Sequence, residues 1–127
     1  MNRLVFRSLA LLLVLVFLSA CQRDTPERAA LEFMDSLAAM DFQRATELST
    51  PSAELVIGIL EMAAAGMSDS ELREFQSAFG NYRHVSTSID GDRAVVVLSM
   101  EGQEESIDMR RIDGQWLVDI NKDDMQK

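Results

Sequence analysis

Apolar and polar positions change rhythm twice along this chain. From Leu9 to Leu18 they are unbroken apolar. From Thr25 to Phe79 apolar residues return at three- and four-residue intervals, the period of an amphipathic helix, and beyond Gly80 they alternate one by one, as strands require. Thr25-Pro26 reads as an N-cap followed by proline at the first helical position. Ala30, Phe33, Leu37 and Met40 then form the apolar stripe, with Glu27, Glu32 and Asp35 in solvent. Asp41 caps a short second helix over Phe42 to Leu48. Thr50-Pro51 repeats the cap signal for a third, Ser52 to about Ala65. Its Leu55, Val56, Ile59, Leu60, Met62 and Ala63 are apolar over so wide an arc that deep burial is expected. Gly66 stops it. Ser68-Asp69-Ser70-Glu71 has the spacing of a capping box, and Leu72, Phe75 and Phe79 stripe a fourth helix ended by Gly80.

In the second half, Val85, Thr87 and Ile89 alternate with Ser86 and Ser88 before a hairpin turn at Asp90-Gly91-Asp92. Ala94 to Met100 is a β-branched run suited to a central strand. Glu101-Gly102-Gln103 and Asp113-Gly114 are further turns, and Ile107, Met109, Trp116, Val118 and Ile120 continue the inward alternation. Trp116 is expected to be buried between the sheet and the helices that start at Pro26 and Pro51. Helices first and a four-stranded antiparallel meander after them predict an α+β fold, with the helices packed on one sheet face.

The opening residues carry a different message. Arg3 and Arg7, a short apolar run, and the small residues Ser19 and Ala20 are the parts of a secretory signal. A ten-residue run, Leu9–Leu18, falls far short of the roughly twenty residues that hydrocarbon requires. Leu18-Ser19-Ala20-Cys21 resembles the bacterial lipobox. That resemblance implies cleavage between Ala20 and Cys21, a diacylglycerol thioether on Cys21 and acylation of its new amine. Three chains exceed the two-signal requirement for stable anchoring, each buried methylene contributing about 0.8 kcal/mol. Gln22, where an aspartate would favour inner-membrane retention, implies the outer membrane. The expected organisation is a signal peptide over residues 1–20, a lipidated cysteine and tether over 21–25, one domain over 26–121 and a polar, acidic tail over 122–127. A tether this short reaches about 15 Å and keeps the domain close to the membrane.

Charge narrows the partners. The chain carries −9 overall, and loss of Arg3 and Arg7 leaves ten basic residues against twenty-one acidic ones, a net −11. Such a surface repels nucleic acid and anionic headgroups and favours a basic patch on an envelope protein. With its one cysteine lipidated, the domain can form no disulfide and depends on packing.

Met40-Asp41-Phe42-Gln43-Arg44-Ala45, the Thr50-Pro51 helix start and Ile112-Asp113-Gly114-Gln115-Trp116-Leu117-Val118-Asp119 are together similar to a family of small bacterial lipoproteins. That family lies in the cystatin-like, nuclear transport factor 2-like superfamily, which includes lumazine-binding-like members. Across residues 25–121 the resemblance implies a curved sheet wrapped around helices, often with a cone-shaped cavity. Phe33, Leu37, Leu60, Phe75 and Trp116 are the candidate pocket lining. Isomerases of the superfamily pair a carboxylate base with an acid–tyrosine couple. Here Tyr82, the sole tyrosine, falls at the helix–strand junction, and Asp41 is explained as a cap.

Other chemistry finds little support. His84, the only histidine, would share a strand face with Ser86 and Ser88, but strand neighbours two apart stand about 6–7 Å from each other, too far for a nucleophile–base bond. Asp119-Ile120-Asn121-Lys122-Asp123-Asp124 copies the opening of a calcium loop, yet position six is Asp124 where glycine is required, and position twelve lies beyond Lys127. Met34, Met40, Met62, Met67, Met100 and Met109 lack the tight spacing of a copper(I) site and read as adaptable core. No catalytic, cofactor or metal residue is expected. The sequence thus points to a non-catalytic binding or accessory domain held at the envelope by Cys21 and facing the periplasm. The alternative is a carrier or sensor of a small apolar ligand in a cone-shaped pocket, and an enzyme of isomerase or dehydratase type ranks third.

Overall fold

The structure is a computed structural model and describes residues 24–120. The expected signal and lipobox and residues 121–127 lie outside the described residues. Helix α1 (Pro26–Ala38) is followed by α2 (Phe42–Glu47), a 3-10 turn (Pro51–Ala53), α3 (Glu54–Ala65) and α4 (Asp69–Phe79). Strands β1 (Arg83–Asp90), β2 (Arg93–Met100), β3 (Gln103–Ile112) and β4 (Gln115–Val118) form one antiparallel sheet in chain order. The α+β class is as the sequence predicts.

Helix starts follow from side chains that take up orphan backbone N–H groups. The Thr25 hydroxyl accepts from the Arg28 N–H at 3.4 Å, and the Asp41 carboxylate from the Arg44 N–H at 3.1 Å. Ser68 and Glu71 make the reciprocal capping box, Glu71 accepting the Ser68 N–H at 2.7 Å. Thr50 departs from expectation. Its hydroxyl makes no cap bond and instead donates to Asp119 Oδ1 at 3.1 Å, tying the start of the third helical segment to the end of the sheet. Helix α1 ends in a Schellman motif: the Asp41 N–H donates to Ser36 O and the Met40 N–H to Leu37 O. This places Met40 at φ 58°, a left-handed conformation costing about 1–2 kcal/mol for a side-chain-bearing residue. Packing of Met40 against the core offsets that cost.

All three hairpins close with two-residue turns. Glu101–Gly102 and Asp113–Gly114 take positive φ at both central positions, and Gly91 takes it at the first of its pair, matching the primed turns that fit strand twist. Register puts Ala94 opposite Met109, Val96 opposite Ile107 and Met109 opposite Val118. One sheet face therefore carries the buried Ala94, Val96, Leu98, Met109, Trp116 and Val118, against which α1 lays Ala30, Phe33 and Leu37. The outer edge of β4 is covered by the α2–α3 connection, because Thr50 N–H donates to Val118 O and Val118 N–H to Leu48 O.

Two burial expectations are corrected. Helix α3 is not deeply buried: Ile57 and Ala64 face the core, whereas Leu55, Ile59 and Met62 are exposed. In β1 a bulge between His84 and Ser86 breaks the simple alternation, and both Val85 and Ile89 are exposed. Trp116 is buried as expected, but the cleft it borders is lined by α1, by α2 and by Leu48, with no residue of α3.

Candidate functional site

An open groove of about 520 Å³ runs between the helices and the inner sheet face. Phe33, Met34 and Leu37 of α1 form one wall, Ile57 and Leu60 of α3 another, and Phe79, Ile107, Val118 and Ile120 complete the apolar lining. Glu105, Asp108 and Asp119 stand among its polar residues. Phe33, Leu37 and Leu60 therefore meet at one groove, and Phe75 and Trp116 do not join them. Phe75 turns toward Phe42 and Phe79, with ring centroids 6.4 and 4.8 Å away. Phe79, the next aromatic of the same helical stripe, takes the groove position instead.

Trp116 lies at a different, polar cleft of about 420 Å³ with Asp24, Glu32, Arg44 and Glu47. The Arg111 guanidinium lies 5.2 Å from the centre of the indole, and the Trp116 backbone N–H donates to Asp24 Oδ1 at 3.4 Å. Arg44 donates to Glu32 and, at 3.1 Å, to Glu47, and both hydrogen bonds push its pKa further up. This cleft is a structural ion-pair cluster linking α1 to α2. The sequence signal for it was weak, since only Arg44 and Glu47 are helical neighbours.

The titratable residues of chemical interest are each committed to local structure. His84 Nε2 lies 2.6 Å from Thr87 Oγ1, and the Thr87 hydroxyl donates to Glu27 Oε2 at 3.3 Å. A threonine hydroxyl has one proton. Glu27 Oε2 and His84 Nε2 both contact the Thr87 hydroxyl, and His84 Nε2 is donor or acceptor according to its tautomer. The Tyr82 hydroxyl donates to Ala78 O at 3.3 Å, and burial, with the charge of Glu105 second, pushes its pKa up. Asp41 serves as a cap, as predicted. Asp119 accepts from Thr50 and faces Arg110 Nε at 3.7 Å, so that carboxylate stitches the groove rim. The rest of the calcium-like run, residues 121–124, lies outside the described residues. Among the described residues no group of three or more His, Cys, Asp or Glu is placed to hold a metal ion, and no buried side-chain polar atom lacks a hydrogen-bond partner.

Compared with protein-family models, with curated proteins and with solved structures, the chain matches none. Among the described residues no helix is long and apolar enough to cross a membrane.

Proposed function

We propose that this chain is a lipoprotein of the bacterial envelope, anchored through Cys21 and facing the periplasm, with the outer membrane favoured, and that its domain binds rather than catalyses. The observation that carries the binding reading is the open apolar groove, whose walls offer contact surface while the nearby Asp119 is spent on Thr50 and Arg110. Helices lying on one face of an antiparallel sheet also support the proposed kinship with cystatin-like, nuclear transport factor 2-like lipoproteins. Fold analogy alone selects no reaction.

Complementation of a deletion strain tests this reading. His84→Ala, Tyr82→Phe and Asp41→Asn variants that fold normally should restore function, whereas charge reversal of Glu101, Glu104 and Glu105 should reduce it. If any of the first three abolishes function and the reversals change nothing, an active site exists and the binding reading is wrong. The second reading, a carrier or sensor of a small apolar ligand, is favoured by the groove lining itself. It predicts saturable binding of the neutral probe Nile red that Leu60→Glu abolishes.

A further inference from the structure

We infer that the outward face of α3 is a docking surface for a basic amphipathic helix of a partner protein. The inference rests on the binding reading above and concerns a surface other than the groove. Helix α3 is apolar on two opposite sides. Ile57 and Ala64 face the core, while Leu55, Ile59 and Met62, spaced i, i+4, i+7, are 62%, 54% and 78% exposed. A scattered exposed leucine needs no explanation, but three large apolar side chains in one helical stripe form a contact seam.

Charge decides what fits the seam. Between Ala45 and Leu72 the chain carries five carboxylates (Glu47, Glu54, Glu61, Asp69 and Glu71) and not one Lys, Arg or His. Glu54 and Glu61 are seven residues apart and so flank the stripe on one side, two turns from each other. A second copy packed face to face would bring these carboxylates into a shared seam without cations, and an anionic bilayer would be repelled. A helix with apolar anchors at i, i+3 or i+4 and i+7, and Lys or Arg along one flank, satisfies the stripe and the carboxylates together.

Gly58 sits in the same surface depression, beside Glu54, Leu55, Ile59, Glu61 and Met62. A Cβ built there meets nothing within 4 Å, so this glycine is not required by packing inside the domain. Glycine within a helix is disfavoured by about 1 kcal/mol relative to alanine. A partner backbone passing close to α3 gives it a use.

The test is a fluorescence-anisotropy titration of the lipidated protein in phosphatidylcholine nanodiscs. The probe is a synthetic helical peptide with leucines at i, i+3, i+4 and i+7 and lysines on one flank. Empty nanodiscs and a peptide with Glu in place of Lys are the references. Saturable binding of the Lys peptide above empty discs is expected, weakening as salt screens the flank. Ile59→Glu should weaken it at least roughly tenfold, a difference of about 1.4 kcal/mol, and Glu54→Lys with Glu61→Lys should switch preference to the Glu peptide. These positions are exposed, so circular dichroism should show the variants folded. No binding above empty discs, equal binding of the Glu peptide, indifference to Ile59→Glu, or self-association through this face would each overturn the inference. In any of these cases the binding reading is judged separately, by the complementation comparison.

Discussion

Trp116→Ala should be among the most damaging single changes to the domain. The indole is only 5% exposed, at the start of β4, beside Ala29 of α1 and Leu48 and under the Arg111 guanidinium. A tryptophan of this kind removes about 200 Å² from water, worth about 5 kcal/mol at 25 cal/mol per Å². Alanine keeps the Cβ share of that area, and the adjoining cleft lets water into part of the void, so the lower part of the usual 3–5 kcal/mol range applies. About 3 kcal/mol is expected. The half-exposed Arg111 contact contributes about 0.5–1 kcal/mol of this, and because Arg111 also binds Asp92 Oδ1 at 3.0 Å, a double-mutant cycle of Arg111→Ala with Trp116→Ala isolates it. Because the substitution deletes the only tryptophan, urea unfolding should be followed by far-UV circular dichroism, comparing midpoints at constant slope. A loss below about 1 kcal/mol with unchanged slope, against the 3–5 kcal/mol usual for a buried indole, would show that Trp116 does not seal this end of the core.

Three further outcomes follow from particular bonds. Tyr82 is the only tyrosine, so absorbance near 295 nm reports it alone, and its midpoint should lie above the ordinary value of about 10. The neutral phenol is favoured in the fold, so its contribution is complete below that ordinary value and is lost as pH rises through the raised one; Glu105→Gln should lower the midpoint only in part, because burial is the larger cause. Ser68→Ala should destabilise by about 1 kcal/mol through loss of the capping box, read as a fall in thermal midpoint. Hydrogen bonds from the Ser68 backbone and side chain hold the Glu71 carboxyl below its usual range, so the Glu71 contribution is present above the ordinary carboxylate pKa and disappears as pH falls through the lowered one.

Much of the fold was legible because local chemistry and global packing agree. Thr25-Pro26, Asp41 and the Ser68–Glu71 box start helices where expected, and the Gly91, Gly102 and Gly114 turns set a register that turns Val96, Met109 and Val118 inward. Helix α3 misled because hydrophobicity on every side implies burial only when enough elements exist to cover every side. Here the core takes Ile57 and Ala64 and leaves Leu55, Ile59 and Met62 outside. The groove was half legible. Phe33, Leu37 and Leu60 share it, but Trp116 pairs with Arg111 at the other end of β4's short inner row, a separation that periodicity does not encode. The β1 bulge was invisible in the alternation, since His84 and Val85 carry no glycine or proline mark.

The proposed envelope role depends on where the chain is held, and intact mass spectrometry of the mature protein from envelopes tests that directly. A polypeptide beginning at Cys21 and heavier than its sequence by a diacylglycerol and an N-acyl chain is predicted, with Cys21→Ala leaving the precursor uncut at this site. A mature chain with a different first residue and an unmodified Cys21 thiol would contradict the account.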